Sequence, residues 1–171
     1  FNEGRLSIKN TTLYSNGKTH MKADTLENVL GYNETGSDAY FVVNPGGTKE
    51  GDIKKLVAVF TDLDAGRDKN GKYLAQNQVN VRKSKMLTRV GQFPLAPSFI
   101  VETRNGYQLY WLLKNTLKNS TRLNRWNTVQ VTINKFFQGV GADTRVVKCN
   151  QIMRLPYTTW YKKWEGVKRP F

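Results

Sequence analysis

Cysteine and histidine are nearly missing from this chain: its 171 residues include one of each, Cys149 and His20. A single cysteine excludes a disulfide framework and a cysteine zinc cluster, so Cys149 reads as a small buried residue and a reducing, cytoplasmic setting is expected. A single histidine has no obvious partners for a metal or base role, so His20 reads as an ordinary surface or core side chain. Long apolar runs are also lacking. None approaches the ~20 residues a bilayer span requires, and no signal-peptide pattern opens the chain, so a soluble protein without a membrane partner is expected. The chain opens on Phe1 rather than Met, which suggests a piece of a longer protein. Acidic residues are the third scarcity, 13 Asp and Glu against 27 Lys and Arg, for a net charge of +14. Between Lys69 and Trp164 the only acids are Glu102 and Asp143. With a pI near 10.0, this excess points to a polyanionic partner, nucleic acid before an acidic membrane surface.

Against that basic background stands Leu56-Val57-Ala58-Val59-Phe60-Thr61-Asp62-Leu63-Asp64. The apolar, β-branched run predicts a buried strand, and its two-residue period sends Asp62 and Asp64 to the same side. Two carboxylates held together repel unless a proton or cation lies between them, and Mg²⁺ or Mn²⁺ prefers such oxygens. Asp-x-Asp-x-Gly is equally good turn chemistry, and the pair alone does not separate the two readings. The scarcity of acids bears on the choice. A third carboxylate has few candidates, and Asp143, after Gly139-Val140-Gly141-Ala142, sits where backbone turns tightly. Two acids on a strand and a distant third in a basic chain suit two-metal phosphoryl or nucleotidyl transfer.

Elsewhere, Thr12-Leu13-Tyr14 followed by Ser15-Asn16-Gly17-Lys18 predicts a hairpin turn. Asp24 predicts a cap for a helix from Thr25 to Leu30, closed by Gly31, with Leu26, Val29 and Leu30 inward. Ala39 to Asn44 reads as a strand stopped by Pro45-Gly46-Gly47, a loop whose glycines could also admit a phosphate. Tyr73 to Val90 predicts a helix with Leu74, Met86, Leu87 and Val90 apolar. Its Arg82, Lys83, Lys85 and Arg89 have no acidic neighbour in sequence, which favours a DNA-facing surface. Ser98 to Thr103 and Tyr107 to Leu113 predict a hairpin about Arg104-Asn105-Gly106, with Gln108 and Tyr110 on one face and Tyr107, Leu109 and Trp111 on the other. That polar face is either the edge of a packed aromatic strand or a platform for a nucleotide. A helix beginning at Ser120 or Thr121 places Leu123, Trp126, Val129, Ile133, Phe136 and Phe137 at core spacing, with Gly139 as stop. Ile152 to Pro156 reads as a short strand, and Tyr157 to Lys162 as an aromatic, basic loop suited to bases and phosphates.

In order, Phe60-Thr61-Asp62-Leu63-Asp64, Thr103-Arg104-Asn105-Gly106-Tyr107-Gln108-Leu109-Tyr110-Trp111, Gly141-Ala142-Asp143, and Arg154-Leu155-Pro156 followed by Lys162 resemble the catalytic domain of archaeo-eukaryotic primases. The likeness is to the primase-polymerase and replication-protein primase domains of plasmids and phages, and covers about residues 40–162. It implies an α+β fold, an RNA-recognition-motif-like catalytic unit beside a smaller N-terminal α/β module. The whole of 1–171 would form one catalytic domain, a fragment of a longer replication protein. Asp62, Asp64 and Asp143 would be the catalytic, metal-binding acids for Mg²⁺ or Mn²⁺, and Arg104, Gln108, Tyr110, Arg154 and Lys162 the nucleotide-binding residues. Gln108 stands where the family usually has a phosphate-contacting histidine, which it replaces without the positive charge. Tyr157 and Trp160 stand at the family's glycine and asparagine positions.

The activity implied is a DNA primase or polymerase, a nucleotidyltransferase using nucleoside triphosphates (NTP or dNTP) on a single-stranded DNA template. A helicase domain in the same polypeptide, and a prokaryotic cytoplasm or a virus or plasmid as source, go with it. The alternative is a replication initiator or DNA-binding module on the same fold with weak or lost catalysis. A rolling-circle nicking protein is disfavoured, because it needs a paired-histidine metal site.

Overall fold

The computed structural model describes residues 12–16, 21–68 and 70–161. The predicted turn at Gly17-Lys18, His20 and Lys162 lie outside them. Mixed helices and sheets form two compact units, residues 58–148 and a unit made of 1–57 with 149–171. The fold class is α+β.

In the unit that contains residues 12–16, 21–57 and 149–161, β1 (Thr12–Ser15), β2 (Lys22–Asp24), β3 (Asp38–Val42) and β7 (Ile152–Arg154) form a sheet in the order β2-β1-β3-β7, every neighbouring pair antiparallel. Helix α1 (Leu26–Glu34) begins at Thr25, whose hydroxyl accepts from Asn28 N, while Asp24 accepts from Thr25 N and the Asn28 amide. The predicted stop at Gly31 is wrong. Nothing crowds Gly31, so the helix runs through it and ends before Gly36, whose φ of 100° reverses the chain. Leu30, expected inward, is exposed, and Asn33 is buried in its place, bonded to Ser37 O and to both backbone groups of Thr159. Gly46 and Gly47 are explained by packing. A Cβ on Gly46 would lie 2.1 Å from Asp52 O.

The other unit carries a three-stranded sheet in the order β4-β6-β5, from β4 (Lys55–Asp64), β5 (Phe99–Glu102) and β6 (Gly106–Leu117), with helices α2 (Gln76–Gly91) and α3 (Ser120–Phe137). The β5–β6 hairpin has the expected turn, Thr103 N bonding Gly106 O, and an antiparallel register pairing Val101 with Gln108. Helix α2 starts at Gln76, so Leu74 precedes it, and Leu87 is exposed while Val79, Met86 and Val90 are buried. Helix α3 is capped by Asn119, whose side chain accepts from Arg122 N, and extends as a 3₁₀ turn to Val140 before Gly141 turns it at φ 102°. The stop is therefore Gly141 rather than Gly139.

Strand β4 is an edge strand, and an open edge leaves every second N–H and C=O without a ladder partner. Here α3 and the segment after it supply them. Trp126 Nε1 donates to Ala58 O at 2.8 Å, the Gln130 amide spans Phe60 N and Phe60 O at 3.0 and 2.6 Å, and residues 141–143 bond the last turn of the strand. That is why Gln130, a polar residue at helical core spacing, is fully buried while the predicted Val129 is exposed. Gln130 Nε2 also reaches Val146 O at 2.8 Å. Replacing Gln130 with Leu keeps volume but strands two buried backbone groups, Phe60 N and Phe60 O, while Val146 O keeps the Asn134 amide, and chemical denaturation should show a loss of roughly 2–5 kcal/mol. A change below 0.5 kcal/mol would mean the edge is satisfied some other way.

Candidate active site

The end of β4 is held by a short antiparallel bridge. Leu63 pairs with Ala142, Asp143 N donates to Asp62 O at 3.0 Å, and Asp64 N donates to Gly141 O at 3.0 Å. In such a bridge the residues flanking the central pair are opposite neighbours, Asp62 with Asp143 and Asp64 with Gly141, and their side chains leave on the side away from Leu63 and Ala142. The three aspartates thus share one face through backbone register, although 79 residues of chain separate Asp64 from Asp143. Gly141 is required opposite Asp64, because with its φ of 102° a Cβ would also lie 2.6 Å from Asp64 O. Gly106 is required for the same kind of reason, since its Cβ would collide with Leu63 O at 1.7 Å.

The acids differ in surroundings. Leu63 between them is fully buried, Asp62 is half-buried and Asp64 exposed, with Asp64 Oδ1 accepting from Gly66 N at 2.6 Å. Asp143 is gripped by the exposed Arg145, whose Nε and Nη2 meet Oδ1 and Oδ2 at 3.0 Å each, and Arg145 N adds a third bond at 2.9 Å. Those bonds, led by the guanidinium, hold the Asp143 carboxyl below its usual value of 3.8 against the opposing effect of partial burial. Among the described residues no three His, Cys, Asp or Glu side chains already converge on one metal-sized point. The donor set is nonetheless one a hard divalent ion accepts, all carboxylate oxygen on one face at a strand end. A cleft of about 260 Å³ opens beside Asp64, walled by Ala65, Arg82, Lys85 and residues 139–141.

Gln108 and Tyr110 share a face, as their spacing requires, and Tyr110 OH donates to Gln108 Oε1 at 2.9 Å. Both are buried. Burial first, and the charge of Asp62 second, push the Tyr110 phenol far above its ordinary value, so it stays a donor across the whole working pH range. Gln108 therefore accepts from the same phenol that feels the charge of Asp62. Arg104 is exposed at the hairpin turn and its Nε donates to Gln76 Oε1 at 3.3 Å. Arg154 belongs to the other unit, on β7, with its guanidinium 4.0 Å over the Trp160 ring.

The basic helix α2 divides. Lys83, expected to face DNA without an acidic partner, is buried: its Nζ lies 2.5 Å from Glu102 and 2.8 Å from Thr103 O, over the Tyr107 ring. The partner was invisible locally because Glu102 comes 19 residues later, on β5. Arg89 is also structural in part, donating twice to Phe136 O at the end of α3 and stacking 3.7 Å from the Phe136 ring. Arg82 and Lys85 remain exposed, Arg82 with one bond to Arg67 O. Arg145 was not among the residues the sequence pattern singled out; its place two residues after Asp143 was the available signal.

No protein-family model matches the chain, and no curated protein matches it. Among solved structures, the AEP domain of the primase-polymerase (PrimPol) of cyanophage S-2L superposes with a TM-score of 0.53 at 22% identity, covering 85% of this chain and 72% of that one. The likeness is one of fold, and an archaeo-eukaryotic primase-like fold is what the chain shares with that domain. No helix among the described residues is long and apolar enough to cross a membrane.

Two outcomes follow from these contacts. Lys83→Met should lower stability by about 1–2 kcal/mol, because Thr103 O and Glu102 lose their shared donor, while leaving nucleic-acid affinity within twofold. A large affinity loss with unchanged stability would reverse the assignment of Lys83. The depressed Asp143 titration means its contribution to stability is full above the unfolded value and is lost as pH falls through the lower folded one. Arg145→Ala should raise the Asp143 pKa toward its ordinary value, read by carboxyl NMR titration, and an unmoved midpoint would mean the guanidinium is not what lowers it.

Proposed function

We propose that this chain is a nucleotidyltransferase that makes or extends primers on single-stranded DNA from nucleoside triphosphates. The observation that carries the reading is the β4 bridge, which aligns Asp62, Asp64 and Asp143 on one face of a sheet in a primase-polymerase-like fold. The three carboxylates would hold Mg²⁺ or Mn²⁺. Bound there, a divalent ion would supply Lewis-acid stabilisation of the charge that builds on phosphoryl oxygens and acidify the attacking hydroxyl.

The chain's own residues do the rest. Bridge hydrogen bonds fix the acids in register without relying on loop order. Tyr110, protonated and tied to Gln108, keeps a polar but neutral wall beside Asp62. Arg104, Gln108 and Tyr110 are the proposed nucleotide contacts of this unit, and Arg154 of the other unit and Lys162, outside the described residues, are nucleotide contacts proposed from the resemblance alone. Of the four basic residues of α2, Arg82 and Lys85 are those proposed to meet the DNA backbone; Arg89 can add to them only with the part of its guanidinium not held at Phe136.

One observation favours the second reading, an initiator or binding module with weak catalysis: Arg145 already occupies both oxygens of Asp143. A divalent-metal-dependent primer extension assay separates the two. Asp62→Asn and Asp64→Asn should each abolish nucleotide addition and leave the fold intact, or slightly more stable without metal, because carboxylate repulsion is relieved. Extension at the wild-type rate in either variant contradicts the enzyme, and extension absent from the wild type with strand binding retained supports the initiator.

A further inference from the structure

The turn after β7 holds a side chain that packing does not account for. Tyr157 has φ 61°, the left-handed region, and it alone does so among the described residues other than glycine. A bulky residue adopts that conformation against steric resistance, and such sites persist only where the surroundings over-determine them. Both flanks of this turn are pinned. Leu155 N donates to Ala39 O at 3.1 Å and Thr158 Oγ1 to Leu155 O at 2.6 Å, Thr159 exchanges two bonds with the Asn33 side chain, and Tyr161 N reaches Asp38 Oδ1 at 2.7 Å. The turn is thus fixed to β3 and α1, yet the ring it forces outward is fully exposed. Strain is accepted here with no burial to offset it.

The surroundings indicate what the ring is for. Arg154, three residues earlier, stacks 4.0 Å over Trp160, three residues later, so a cation and a second aromatic belong to the same rigid turn. A flat exposed π-face on a fixed support, in a chain of net charge +14, matches the chemistry of an unpaired nucleobase whose strand carries phosphates. We propose that Tyr157 is a stacking platform for an unpaired base of a single-stranded nucleic acid. The inference rests on the strand-binding reading above and adds to it a specific contact.

Tyr157→Asn removes the ring while keeping a residue that tolerates the left-handed region, and Tyr157→Phe keeps the ring alone. Fluorescence anisotropy with a short oligothymidylate should show about tenfold weaker binding for Asn and affinity within twofold for Phe. The melting temperature of the Asn variant should be unchanged or a few degrees higher. An oligonucleotide with abasic sites should bind the wild type as weakly as the intact strand binds the Asn variant. Equal affinity of wild type and Asn for the intact strand overturns the inference alone, as does a loss confined to free thymidine triphosphate. A wild type that binds no strand at all overturns the strand-binding reading and this inference with it.

Discussion

The open edge of β4 is the constraint on which the unit of residues 58–148 depends. An edge strand must have its alternate N–H and C=O groups satisfied or covered, and here the covering elements are also the ones that build the site. Trp126 and Gln130 satisfy the strand at Ala58 and Phe60, which fixes α3 along it. The end of α3 then turns at Gly141 and continues the pairing at Asp62 and Asp64, and this last pairing brings Asp143 to the same face. The last bonds of the edge, Asp143 N to Asp62 O and Asp64 N to Gly141 O, are therefore also the bonds that bring the acids together.

The electrostatics follow from that placement. Three carboxylates on one face repel, and the fold answers with different means at each: a backbone N–H at Asp64, a fork of guanidinium bonds at Asp143, and a neutral, protonated phenol near Asp62. The Arg145 guanidinium in that fork is exposed, so solvent screens its pairing with Asp143. Farther along the unit, Lys83 and Arg89 show that a basic helix can use its cations to hold β5 and the end of α3, leaving Arg82 and Lys85 outward.

Local pattern was enough to read the strand carrying Asp62 and Asp64, the hairpin about Asn105-Gly106 and the long helix from Ser120, because each is specified by period and turn chemistry within about a dozen residues. The resemblance to primase-polymerase domains pointed to the fold that the phage neighbour shares. What stayed illegible depends on partners distant in sequence. Gln130 and Asn134 look like surface residues until Phe60 and Val146 arrive at 70 and 12 residues' separation. Lys83 looks free until Glu102 is placed beside it. Gly31 and Gly139 look like helix stops, but a glycine ends a helix only where the chain must take positive φ, and Gly36 and Gly141 are where it does.

The central claim is that the β4 bridge makes Asp62, Asp64 and Asp143 one divalent-ion site. Paramagnetic broadening of backbone amide resonances by substoichiometric Mn²⁺ tests it most directly, since it reports position without requiring turnover. The account predicts broadening centred on residues 62–66 and 141–145, relieved by excess Mg²⁺ and absent in Asp143→Asn. Broadening centred elsewhere, or unaltered in Asp143→Asn, would contradict it.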